Sequence, residues 1–279
     1  MIIVVLTVVG LSMGSFVNAL IWRIYKQEEK SKTKTTIKGK KVDLSITKGR
    51  SVCVHCGHEL AAKDLIPVIS WLTLQGKCRY CKKPIDDTPV SELLTAGLFV
   101  LSYLVWPWEL VGYEAWAAFV AWLAIVVGLV ALTLYDFKHL ILPDRIVFPL
   151  MAVAVAMKVF LDTSLGIEAE ETVRELVFGV LVGGGFFYAL FQVSGGKWIG
   201  GGDVKLGFLI GLALGPANAA VALISAFYIA AFILLPLMVT KKVTRKSKIP
   251  FGPFLILGFV LAMLWGENVR EFYTSLTGL

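Results

Sequence analysis

The sequence predicts an all-α polytopic membrane protein, with about eight transmembrane helices and a small cytoplasmic loop domain of zinc-ribbon type. Three observations predict it. Of 279 residues, 57% are hydrophobic and only 17% charged, more apolar surface than a soluble domain of this size hides. Several windows of about 20 residues are almost free of charge, as membrane helices require. All four cysteines fall in one polar segment, as two Cys-x-x-Cys pairs. A net charge of +7 would suggest a nucleic-acid partner in a soluble protein. Here the basic residues lie in loops between spans, which is the positive-inside bias, so no nucleic acid is expected.

The first span covers roughly residues 1–22. It lacks a basic n-region and a small-residue cleavage site, so it reads as a retained helix, not a removed signal peptide. Gly10, Gly14 and Asn18 share one face, spaced for close packing on another helix. Residues 23–88 form the one large polar segment. Within it, Lys26 to Arg50 is rich in Lys and Thr and reads as a mobile insert or a hairpin, basic enough to lie on anionic lipid. Span two runs from about Val90 to Trp106. The turn Trp106-Pro107-Trp108-Glu109 suits a membrane interface. Span three ends near Tyr135, and Asp136 to Leu142 reads as a short loop. Pro143 fits the first turn of span four, which runs to about Leu161. Span five covers about Val173 to Val193, and Ser194 to Gly202 is a Gly-rich loop. Span six begins near Asp203 and ends at Gly215-Pro216. Span seven reaches Val239, the loop Lys241 to Lys248 is basic, and span eight follows Pro253. Residues 89–279 thus read as a seven-helix membrane domain.

Eight spans place alternate loops on two sides. All but three of the 27 Lys and Arg residues then fall on one side, the exceptions being Lys158, Arg174 and Arg270. That side reads as cytoplasmic, with both termini outside.

Cys53-Val54-His55-Cys56 and Cys78-Arg79-Tyr80-Cys81 are separated by 21 residues, slightly more than a usual zinc ribbon. The subdomain they define covers residues 53–81. Four thiolates close a tetrahedral zinc site with no open position, so Cys53, Cys56, Cys78 and Cys81 are the expected ligands of a structural Zn2+. A reducing cytoplasm disfavours disulfides. Free thiols and redox pairs are the competing readings. His55 and His58 lie nearby but are not needed as ligands.

Two carboxylates stand where apolar runs end or begin. Asp136 follows span three. Asp203 follows the glycines Gly200-Gly201-Gly202. An acid at the mouth of a membrane helix is a functional-site candidate. Two close carboxyls sharing one proton can activate water and polarise a carbonyl together, which is the chemistry of peptide hydrolysis. The competing reading makes one or both acids helix caps. Asp144, beside Pro143, looks more like a helix-start acid than a catalytic one. Beyond Asp203, Gly207, Gly211 and Gly215 form a row that either admits a substrate helix or packs a neighbouring span.

These residues resemble the type IV prepilin peptidases, a family of bifunctional leader peptidase/N-methyltransferases and membrane aspartic proteases of the GxGD type. The match runs in order along nearly the whole chain. It comprises Gly14-Ser15-Phe16-Val17-Asn18 with Arg23, the stretch Asp64 to Leu72 between the Cys-x-x-Cys pairs, and Glu92-Leu93-Leu94-Thr95-Ala96. Asp136 with Leu142-Pro143-Asp144 follows, then Gly200-x-Gly202-Asp203 with Lys205-Leu206, and Pro250-Phe251-Gly252-Pro253. The resemblance implies catalytic aspartates at Asp136 and Asp203. It implies cleavage of the basic leader of type IV prepilins or pseudopilins at the cytoplasmic face of the bacterial inner membrane. It further implies methylation of the new N-terminus by S-adenosylmethionine, whose pocket the sequence does not place. The Lys-rich insert is longer than the family leads one to expect, and Asp87-Thr88-Pro89 departs from the usual stretch before Glu92. A leader peptidase without methyltransferase activity is one alternative. A small-solute transporter with a zinc-stabilised loop is another, but no internal repeat supports it.

Overall fold

The computed structural model describes residues 1–30, 34–85, 88–242, 244, 247 and 249–277. Part of the expected Lys-rich insert and part of the expected basic loop before span eight lie outside these residues. Helices dominate. In chain order they are α1 (Ile2–Lys30), α2 (Ile69–Thr73), α3 (Val90–Leu104), α4 (Gly112–His139), α5 (Asp144–Ser164), α6 (Ala169–Val180), α7 (Phe186–Ser194), α8 (Gly201–Val239) and α9 (Gly252–Thr277). One antiparallel hairpin, β1 (Lys34–Ile37) with β2 (Lys40–Asp43), pairs Lys34 with Asp43 and Ile37 with Lys40. A π-helical turn, Leu181–Gly185, joins α6 to α7.

Among the described residues, six helical stretches are long and apolar enough to cross a membrane. That is fewer than the eight spans expected, and the difference lies in two places. Helix α3 is apolar but only 15 residues long. The expected sixth and seventh spans are two helices that meet at Gly215 inside the continuous stretch α8, where φ 69° and ψ 177° leave the helical region. The Gly-Pro pair at which the sequence ends span six is a sharp break between two helical segments. Helix α4 also runs one turn past the end of its apolar stretch. Leu140 closes it in the left-handed conformation, its N–H donating to the Asp136 carbonyl at 2.8 Å. Asp136 therefore sits in the last turn of α4, not in the loop after it.

The chain divides into two compact units. The first comprises residues 1–104 and 126–134. Here α1 packs on α3 through its small residues. A Cβ at Gly10 would lie 2.6 Å from the Ala96 Cα, so nothing larger fits that crossing. The insert after α1 forms the hairpin, and the loop behind it is tied to the helix. Arg23, 5% exposed, donates to the carbonyls of Ser45, Ile46 and Gly49 at 2.9–3.1 Å, and Gln27 donates to the Leu44 carbonyl at 2.7 Å. A guanidinium has five donors, and three backbone acceptors suffice to fold a loop around it.

The second unit comprises residues 105–125 and 135–279. Its core is apolar and aromatic, with Trp122 against Phe259 at 5.8 Å and Phe187 against Phe251 at 6.3 Å. Two glycine rows meet in it. A Cβ at Gly207 would lie 2.5 Å from the Gly183 carbonyl oxygen, and one at Gly183 would lie 2.7 Å from the Gly211 N. The backbones of α8 and the α6–α7 stretch touch directly. Of the two readings of the glycine row, close packing of a neighbouring span is the observed one.

Candidate active site and metal centre

Asp136 and Asp203 both belong to the second unit, and they lie close enough to interact electrostatically. Each carboxylate is held at a helix N-terminus. The Gly252 backbone N–H, at the first position of α9, donates to Asp136. The first N–H groups of a helix have no partner inside it, so Asp136 satisfies one of them. Asp136 also stands in the last turn of its own helix, where the backbone dipole is negative, and the positive end of α9 offsets this. Asp203 is the third residue of α8, and the N–H of the N-cap residue Gly200 donates to its side chain. That is half of a capping box: Asp203 is not itself the N-cap of the competing reading, but its side chain helps to cap α8.

Leu142 borders the glycine beside each acid. A Cβ at Gly202 would lie 3.2 Å from the Leu142 side chain, and one at Gly252 would lie 3.8 Å from Leu142 Cδ1 and 2.5 Å from Asp136 Oδ2. Glycine at both positions lets backbone approach where a side chain would push the carboxylate aside. Asp136 is 7% exposed. A buried carboxylate with a single backbone donor and a second acid beside it is an arrangement suited to holding one shared proton.

Asp144 is engaged differently. It is the first residue of α5, exposed, and ion-paired with Lys205. Lys205 also lies over the Phe148 ring at 6.0 Å. The sequence ranking of Asp144 as a helix-start acid matches this placement.

In the first unit the four cysteine sulfurs lie within 4.8 Å of one another. Cys53 Sγ and Cys81 Sγ are 3.9 Å apart, close to the edge of about 3.8 Å that a tetrahedron of Zn–S bonds requires. The two Cys-x-x-Cys turns have the same local fold. The Cys53 N–H donates to the His58 carbonyl and the Gly57 N–H to the Cys53 carbonyl, both at 2.9 Å. The Cys78 N–H donates to the Lys83 carbonyl and the Lys82 N–H to the Cys78 carbonyl, again at 2.9 Å. Gly57 and Lys82 each follow the second cysteine and each adopt positive φ, 65° and 58°. Two equivalent knuckles converging their sulfurs fit a zinc ion. Burial pushes the Cys53 thiol up to about 12 in the metal-free protein, so metal binding must displace its proton.

The histidines are used otherwise. The His55 ring Nε2 is 3.0 Å from the Pro84 carbonyl oxygen, and the His58 ring stacks on Tyr80 at 3.7 Å. Both bind the first knuckle to the second. Asp64 adds a third tie, accepting from Arg79 Nε at 2.6 Å and the Tyr80 hydroxyl at 3.1 Å.

Two residues that the chemistry did not single out emerge here. Gly252 supplies the donor to Asp136; its signal is a glycine at a helix start flanked by prolines. Glu92, 8% exposed, accepts from the Val68 N–H at 2.5 Å. An acid opening an apolar run is its signal in the sequence.

Comparison with known proteins places this geometry among relatives. A model of the bacterial peptidase A24 N-terminal domain matches residues 8–106, and a model of the type IV leader peptidase family matches residues 123–235. The chain is 31% identical over 278 residues to a protein of Aeromonas hydrophila called prepilin leader peptidase/N-methyltransferase, covering 95% of this chain and 91% of that protein. It is 29% identical over 282 residues to a protein of the same name from Pseudomonas aeruginosa, covering 96% and 92%. It is 34% identical over 263 residues to an Escherichia coli protein called type 4 prepilin-like proteins leader peptide-processing enzyme, covering 91% of each. No solved structure matches the chain.

Proposed function

The chain belongs to the type IV leader peptidase family, and on that premise we propose that Asp136 and Asp203 hydrolyse the leader bond of a prepilin. The protein is a membrane-embedded prepilin peptidase with N-methyltransferase activity, the pair of activities in its relatives' names. The observation that carries the catalytic reading is the meeting of Asp136 and Asp203, 67 residues apart in sequence, around Leu142, Gly202 and Gly252.

The chemistry follows from one shared proton. The ionised carboxylate takes a proton from water as the oxygen attacks the scissile carbonyl carbon. The protonated partner gives its proton to the carbonyl oxygen, and a tetrahedral intermediate forms. Proton return to the leaving nitrogen then breaks the C–N bond and restores the pair. Backbone donors on each carboxylate fix its orientation before substrate arrives. The substrate is a type IV prepilin or pseudopilin with a basic leader. The methyl group for the new terminal amine comes from S-adenosylmethionine, a substrate to which no residue is assigned.

Cys53, Cys56, Cys78 and Cys81 would hold zinc with all four positions filled. When bound, the ion supplies a fold constraint and no open coordination site for water. Residues 23–88 carry most of the basic side chains, which supports a cytoplasmic position at the inner membrane for that segment and the carboxylate pair, with both termini outside. Asp136→Asn and Asp203→Asn in purified protein test the catalytic reading. Each abolishes leader removal while zinc content is kept; cleavage by either variant removes that residue from the pair.

A further inference from the structure

The first unit displays an apolar surface where a soluble subdomain would be polar. Leu65, Ile66, Ile69 and Leu72 are 41%, 46%, 59% and 59% exposed, all in the segment between the two cysteine pairs. No charged residue occurs from Leu65 to Gly76.

The position of this segment is set by its tether. Glu92 holds the Val68 N–H at 2.5 Å. Helix α1 crosses α3 at the same level, because a Cβ at Gly14 would lie 2.8 Å from the Glu92 N. Gly14 is inside the apolar run of α1, eight residues from Trp22, or about 12 Å along the axis at 1.5 Å per residue. Even at the full reach of a glutamate side chain, Val68 stays on the apolar side of Trp22. The exposed face of α3 continues the patch with Val90 and Leu93, 54% and 55% exposed.

The backbone is prepared for an apolar surrounding. Hydrocarbon offers no partner for a free N–H. Leu65 donates to the Ala62 carbonyl, Ile69 to Pro67, Ser70 to Ile66 and Leu72 to Val68, at 2.6–3.1 Å. Pro67 has no N–H. Val68 has φ 61° and is the N-cap of α2, where its N–H lacks a helical partner; the Glu92 carboxylate fills that need. Trp71 Nε1 is buried without a hydrogen-bond partner among the described residues, its ring against Gly76.

We propose that residues 65–72 are a membrane-embedded anchor, inserted into the bilayer beside α1 and α3, that fixes the four-cysteine module to the lipid surface. Three independent features agree: exposed apolar side chains, a level within the apolar run of α1, and backbone N–H groups that find partners at Leu65, Val68, Ile69, Ser70 and Leu72. Lys63, Lys77, Lys82 and Lys83, all exposed, flank the segment in sequence and suit anionic headgroups. The alternative occupant is the apolar helix of a prepilin.

The test uses the full chain in phospholipid nanodiscs with prepilin present. The photo-crosslinker p-benzoylphenylalanine is placed at position 69 or 72, at Phe16 as a lipid-facing control on α1, and at Lys40 on the hairpin. Retained zinc and leader cleavage show that each variant is folded. Lipid adducts at 69 and 72, at a yield like that at 16 and lost at 40, are the expected result. Both positions are exposed, so either alone decides. Adducts at 16 with none at 69 and 72 overturn the proposal. Adducts chiefly to prepilin overturn it too, and give the patch to substrate.

Discussion

Gly252 stands so close to Asp136 that a Cβ at position 252 would lie 2.5 Å from the carboxylate oxygen Oδ2. The same residue donates its backbone N–H to that carboxylate. One glycine at the start of α9 thus leaves room for the acid and orients it.

Gly252→Ala is expected to move the Asp136 side chain and leave the fold intact, because the atom it meets is a side-chain end, not backbone. A misplacement of about 1 Å costs on the order of 10²-fold in rate. Leader cleavage should fall by that factor in kcat, with thermal stability little changed. Normal turnover would show that the contact has no catalytic consequence.

Gly211→Leu tests the glycine rows. A Cβ at Gly211 would meet the Val180 N at 3.0 Å, and backbone there has nowhere to go. Overpacking of this kind costs about 1–3 kcal/mol or more. The unfolding temperature should drop together with activity. Loss of activity at full stability would mean instead that the row serves a substrate helix.

Serine at any one of Cys53, Cys56, Cys78 or Cys81 should release zinc. Elemental analysis of wild type should find about one ion per chain, bound by four thiolates. Well-folded wild type without metal would remove zinc from the account.

Asp64 gives the loop a pH dependence. Burial works to raise its pKa, but the hydrogen bonds from Arg79, Tyr80 and the Ala61 N–H outweigh this and hold it below the usual value. The unfolded chain therefore binds more protons near the ordinary carboxylate value of about 3.9. The contribution of Asp64 to stability is complete above that value and is lost as pH falls through the lowered folded one. Asp64→Asn should lower the unfolding temperature at pH 6, and the difference from wild type should be smaller at pH 3. An equal difference at both values would contradict the assignment.

Local spacing made part of this molecule legible in sequence. The Cys-x-x-Cys pairs, the two acids and the apolar runs are each visible within a few residues, and the family resemblance rests on them. The helix end at Gly215-Pro216 is legible from that pair itself and divides α8 in two, whereas α3 is only 15 residues long, too short a helix for hydropathy alone to settle as a span. Hydropathy likewise stopped α4 at Tyr135, whereas backbone hydrogen bonding carries it to His139. The glycine row had two uses in sequence because only the facing row, Gly179 and Gly183, distinguishes them. The Gly252–Asp136 and Val68–Glu92 bonds pair a backbone donor with a distant side chain. Such a donor leaves no mark on residue type.

The measurement that bears most directly on the acid pair follows leader loss and labelled-methyl incorporation together. It compares wild type with Asp203→Asn on a purified prepilin with S-adenosylmethionine. Wild type should cleave and methylate. The variant should lose cleavage by about 10²–10⁴-fold or more, the loss expected when one acid–base partner is removed, while keeping its fold. Undiminished cleavage by Asp203→Asn would contradict the central claim.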